Sequence, residues 1–295
     1  MPIRQKDEMK SRLNQLASSL ITVIAVILAG SFVAAALVRY SPGFDSIPED
    51  LNPEIGADTL KTLHEERGDA TALPVFYAHY LARASRGDLG VSQSLKQPVS
   101  DLLLRRAPVT LHLILWGTAG GWLVALLLAW LAVWSRGVIL KAVAFSISGL
   151  LLSVPPAVLG LWFFFDEAPL SLALALALLP RLFGTLRALL DEYYVSPALL
   201  AARARGISPR VIAIRYVLRA GAPQLLALLG TALVLAFGSA IPIETLCGIP
   251  GLGALALQAA LARDVPLLCG SALAITVFVT VIQAAAQTFG EAAAI

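Results

Sequence analysis

Read for charge alone, the chain alternates between long apolar runs and short polar ones. Runs free of Asp, Glu, Lys and Arg occupy 13–38, 107–135, 142–165, 220–243 and 265–290. Each is long enough for the roughly 20-residue helix that a hydrocarbon core of about 30 Å requires. A sixth, weaker run at 168–190 contains Arg181 and Arg187. Lipid offers no hydrogen-bond partner to a backbone N–H or C=O, so spanning segments must be helices or closed barrels. Barrel strands would be about half as long and would alternate in polarity, whereas these runs are apolar throughout. The pattern predicts an all-α integral membrane protein with six transmembrane helices.

The polar intervals set the organisation. Residues 1–15 read as a charged N-terminal segment, 16–38 as the first transmembrane helix, and 39–106 as one extramembrane region. Pro42, Pro48, Pro53 and Pro74 punctuate that region, with short helices expected at 57–67 and 73–85. Residues 107–290 then hold five helices, near 107–134, 139–162, 168–190, 221–243 and 268–289. The polar segment 191–219 separates the third and fourth of these, and 291–295 form a tail. Short-loop Lys and Arg decide orientation, while loops beyond about 60 residues do not count. With the N-terminus in the cytoplasm, thirteen basic residues fall inside and the short outer loops keep only Arg263. Both termini are therefore expected in the cytoplasm and 39–106 outside it.

Composition narrows the function. The 295 residues are 58% hydrophobic and 14% charged, against about 25% charged in a soluble domain. The first apolar run is too long for a signal-peptide core and lacks a small-residue cleavage site before a soluble domain. Cys247 and Cys269 set no disulfide framework and are expected to be free. A net charge of +3, with no basic cluster interleaved with aromatics, argues against a nucleic-acid partner. The basic residues serve topology, and the lipid bilayer is the surrounding medium.

The most informative polar stretch is 187–223. Its centre reads Ala201-Ala202-Arg203-Ala204-Arg205-Gly206-Ile207-Ser208-Pro209-Arg210. Alanine favours a helix, Gly206 suits the left-handed residue that ends one, and Ser208-Pro209 suits the start of another. The expected product is a helix–turn–helix elbow with small side chains and Arg at its tip. Small residues let a second protein approach the backbone, and Arg can pair with acids on that protein.

This segment resembles the cytoplasmic coupling loop of binding-protein-dependent ABC importer permeases, in their dipeptide, oligopeptide and nickel branch. The flanks agree at Arg187, Glu192, Arg215-Tyr216-Val217-Leu218-Arg219 and Pro223. The resemblance continues at Gly87-Asp88-Leu89-Gly90 with Ser92, at Arg106-Ala107-Pro108-Val109-Thr110-Leu111, and at Glu244-Thr245. Pro250-Gly251-Leu252-Gly253 and Arg263-Asp264-Val265-Pro266 complete it, in order, across about two thirds of the chain. The resemblance implies a permease subunit that couples ATP hydrolysis by a separate subunit to alternating access. It assigns Ala201, Ala202, Arg203, Ala204, Arg205 and Gly206 to contact with that ATPase. The implied partners are ABC ATPase subunits, a second, homologous permease, and an extracytoplasmic substrate-binding protein. The implied cargo is a peptide or a related solute such as a nickel chelate. No Gly-x-x-x-x-Gly-Lys motif occurs, so ATP belongs to the partner and this chain needs no cofactor of its own.

Other candidates carry two readings each. Arg181, deep in its span, faces a substrate path or snorkels to the inner headgroups; snorkelling is the simpler reading. Pro155 and Pro156 inside one span form a gating hinge or a static kink. Pro250, Gly251 and Gly253 form a gating or docking turn, or only a connection to a short helix at 254–263. His112 alone makes no metal site. A membrane-embedded enzyme would need a catalytic constellation at membrane depth, and none emerges. An ion-driven secondary carrier would need intramembrane acids, and no Asp or Glu is expected inside a span. That carrier, or a membrane scaffold subunit, is the alternative function.

Overall fold

The computed structural model describes residues 73–134, 138–194, 196–207 and 221–293, with Val211 and isolated positions between 21 and 36. In chain order the helices are α1 (Leu73–Ala84), α2 (Val99–Trp134), α3 (Val138–Ser153), α4 (Pro156–Phe165) and α5 (Leu170–Tyr194). They continue with α6 (Pro197–Ala204), α7 (Ala222–Leu246), α8 (Leu252–Leu261) and α9 (Val265–Ala293). A single bridge, Val91 to Pro98, is the β pairing among the described residues. Expected features at 1–15, 39–72 and 208–210 lie outside the described residues.

Among the described residues, four helices are long and apolar enough to cross a bilayer, within α2, α5, α7 and α9. The apolar pair α3–α4, whose two parts meet at 91°, adds a fifth if it counts as one broken span rather than a re-entrant loop. A kink was expected here, and the chain instead breaks. Pro156 disfavours the helical region for the residue before it, and Pro155 accordingly sits extended at φ −61°, ψ 142°. Two successive residues also lack the N–H that would carry the ladder across. Val158 N–H restarts the pattern on the Pro155 carbonyl at 3.0 Å.

Helix ends overrun the charge-free runs where a polar turn lies beyond the hydrocarbon. The second span begins at Val99 rather than 107, taking in Asp101, Arg105 and Arg106. The fifth runs to Leu246, past the boundary at 243, so it includes Glu244.

The chain divides into two compact units, residues 1–107 with 255–280, and residues 108–254 with 281–295. In the first, Tyr77, Tyr80, Val265 and Cys269 form a buried cluster. Tyr77 Oη donates to the Leu28 carbonyl at 2.7 Å, and its ring meets Phe32 edge-on at 5.2 Å. In the second, α4 and α7 pack on α5 and on each other, and α3 packs on α5. Close packing there depends on small residues. A Cβ on Gly121 would stand 3.0 Å from the Ala175 carbonyl oxygen, so α2 and α5 approach through their backbones.

Candidate functional site: a helix elbow and two buried carboxylates

The alanine-rich segment folds as α6, and its end follows from glycine. Gly206 sits at φ +71°, in the left-handed region that a Cβ disfavours. Ile207 N–H then reaches back to the Ala202 carbonyl at 3.2 Å. That six-to-one bond with a left-handed glycine is the Schellman ending. Ala202 is buried, while Ala201, Ala204, Arg205 and Gly206 are exposed. The backbone of Arg203 lies in α6. The elbow thus offers small side chains and one described guanidinium to its surroundings.

Glu244 organises the second candidate region. Its side chain is fully buried. Thr110 Oγ1 donates to Oε1 at 2.6 Å, and Gly253 N–H donates to Oε2 at 2.8 Å. Ala254 N–H adds a longer bond at 3.3 Å, and Leu252 N–H donates to Thr110 Oγ1 at 2.7 Å. These N–H groups belong to the first turn of α8, which has no intrahelical acceptors for them. Glu244 therefore caps a helix that begins eight residues after it. Gly251 is glycine for a steric reason. A Cβ there would collide with the Glu244 carboxylate. Gly251 and Gly253 are buried, and Pro250 is exposed.

Asp264 does the same work in the other unit. Its Oδ2 accepts from Ser92 Oγ at 2.5 Å, Ser94 N–H at 2.9 Å and Ser94 Oγ at 2.8 Å. Its Oδ1 accepts from Leu267 N–H at 3.1 Å, capping α9. Burial alone would raise this carboxyl, but the hydrogen bonds from Ser92, Ser94 and Leu267 outweigh it and hold the group below its ordinary value. Upstream, Asp88 Oδ1 accepts from Gly90 N–H at 2.9 Å, tightening the turn that delivers Ser92.

The structure thus joins motifs that are far apart in sequence. Arg106–Leu111, Glu244-Thr245 and Pro250–Gly253 converge on one carboxylate; Gly87–Ser92 and Arg263–Pro266 converge on another. Glu244 and Asp264 were not singled out as site residues from sequence, and Ser94 carried no signal at all. An acid at the edge of an apolar run was the available cue, since such a group must find partners.

Arg181 lies near the middle of α5 with its side chain exposed. Arg187 pairs with Asp191, Nε to Oδ2 at 3.5 Å, and its guanidinium lies 5.7 Å over the Phe145 ring. Pro155 is exposed at the α3–α4 break. His112 is exposed beside Trp116, at 6.3 Å between ring centres. Among the described residues no group of His, Cys, Asp and Glu could hold a metal ion. Cys247 and Cys269 are both free and buried.

These features define a multi-pass helical membrane protein built around capped helix breaks rather than around catalytic groups. The family model described as binding-protein-dependent transport system inner membrane component matches residues 121–292, and the chain belongs to that family. It is 27% identical over 284 residues to the nickel import system permease protein NikB of Staphylococcus aureus strain MRSA252, covering 91% of this chain and 87% of that one. The NikB of strain USA300 is likewise 27% identical, over 289 residues. Two crystal forms of the inward-facing MetNI methionine ABC transporter share the fold, with TM-scores of 0.58 and 0.56. Their identities are 19% and 21%, and each match covers 65% of this chain and 96% of the other. The chain is therefore an inner-membrane permease of an ABC importer. Family membership sets aside the ion-driven carrier.

Proposed function

We propose that this chain couples ATP hydrolysis on a separate ATPase subunit to alternating access of a path for peptides or a related solute such as a nickel chelate. The observation that carries the reading is the α6 ending. Exposed Ala201, Ala204 and Arg205 flank a left-handed Gly206, a surface on which a second protein can bring backbone close and pair acids with Arg. ATP binding would draw the ATPase subunits together and pull on this elbow. The nucleotide states differ in that contact, and only a differential contact shifts a conformational equilibrium. ATP stays with the partner, and this chain binds no cofactor.

In this reading the termini and 201–210 are cytoplasmic, a second, homologous permease completes the path, and an extracytoplasmic binding protein delivers the solute. The NikB relatives support a nickel chelate, and the peptide reading rests on the resemblance alone. Gly206→Leu places a side chain on a left-handed residue at the contact, and loss of ATPase co-purification is expected. Gly206→Asn, which tolerates that conformation better, should retain more of it. Normal co-purification of Gly206→Leu would overturn the reading. The solute retained by the cognate binding protein assigns the cargo.

A further inference from the structure

We propose that the exposed face of α5 around Arg181 lines the solute path and selects for solutes bearing a carboxylate or similar anionic group. The inference rests on the permease reading above but not on the coupling elbow.

Arg181 lies eleven residues past Leu170 in a 25-residue helix, about 16 Å along an axis of roughly 37 Å. It therefore falls within the central part of a hydrocarbon core of about 30 Å. Its side chain is exposed, and no acid pairs with it among the described residues. A cation at that depth facing acyl chains is unfavourable, so such residues face water-filled cavities or partners.

The neighbours on the same face agree. Gly184, Thr185 and Ala188 follow Arg181 at three, four and seven residues and are all exposed. A Cβ on Gly184 would meet nothing within 4 Å. The large exposed side chains of α2 between 115 and 131 are different in kind, among them Leu115, Trp116, Leu123, Leu127 and Leu131. Those suit acyl chains, whereas a small, polar, cationic face suits water and an anionic passenger. Arg offers a planar fork matched to a carboxylate.

The test uses the full transporter in membranes, with Cys247→Ala and Cys269→Ala removing the native thiols and Thr185→Cys or Ala188→Cys as the single reporter. Modification rates by anionic sulfonatoethyl and cationic trimethylammonioethyl methanethiosulfonate are compared, each normalised to a free thiol. One unit charge at about 8 Å in water-like surroundings changes each rate roughly twofold in opposite senses. The anion-to-cation ratio should therefore fall about fivefold on Arg181→Gln and be kept by Arg181→Lys. Should Arg181→Gln fail to assemble, salt decides: the ratio in the Arg181 protein must approach one between about 0.02 M and about 1 M. No reaction at either cysteine, or a ratio indifferent to both charge and salt, overturns the inference. ATPase co-purification scored on the same samples separates failure of the coupling reading from failure of this one.

Discussion

Ser92 Oγ donates to Asp264 Oδ2 at 2.5 Å, joining residues 172 positions apart. Ser94 adds its N–H and its hydroxyl to the same oxygen. One carboxylate thereby fixes the loop after α1 to the start of α9, both within the same unit.

Asp264→Ala should leave the buried Ser92 hydroxyl and the Leu267 N–H without their acceptor, while the exposed Ser94 returns to water. A loss of about 3 kcal/mol is expected for that unit, and about 1 kcal/mol for Ser92→Ala, which removes one donor. Thermal unfolding of the detergent-solubilised complex gives the ranking. Equal effects from both variants would contradict a carboxylate-centred cluster.

The pH dependence follows from the same group. The folded value lies below the ordinary one, so this contribution is fully present above about pH 3.9 and fades only as the pH falls further. Hydrogen exchange at 91–98, corrected for its intrinsic pH dependence, should stay constant from pH 7 to about pH 4 and then accelerate. Acceleration already near neutral pH would reverse the sign.

Glu244→Ala should release the α8 N-terminus by stranding Thr110 Oγ1 and the N–H groups of Gly253 and Ala254. A destabilisation of about 3 kcal/mol or more is expected. Gly251→Ala should also destabilise, by about 1–3 kcal/mol through overpacking against the carboxylate. Gly149→Ala, at a helical position with open space, should instead be neutral or stabilising by up to about 1 kcal/mol. Melting temperatures of the three variants check the contrast.

Replacing Pro155 and Pro156 together by Ala restores two backbone donors and removes the restriction on the preceding residue. The α3–α4 bend of 91° should open toward a continuous helix. Solute uptake should fall while ATPase co-purification persists. Unchanged uptake would show that the bend does not matter to transport.

Cys247 and Cys269 are buried, and burial pushes the Cys247 thiol up. Maleimide at neutral pH should label neither in the folded complex and both after denaturation in SDS. Mass spectrometry of the tryptic peptides distinguishes the two sites.

Charge-free length was the legible signal, because a bilayer excludes charge and forces helices wherever about 20 apolar residues run together. Helix formers followed by Gly206 likewise predicted a local ending, since a left-handed residue is a property of one position. Those determinations need no distant contact. The right-angled break at Pro155-Pro156, the extension of α7 to include Glu244, and the meeting of Ser92 with Asp264 do need one. A buried carboxylate is tolerable only where several donors converge, and those donors come from segments up to 172 residues apart. Sequence therefore specified which stretches enter the membrane and where the elbow helix stops. Tertiary structure alone decided which acids are buried, because solvation of a charge depends on everything packed around it.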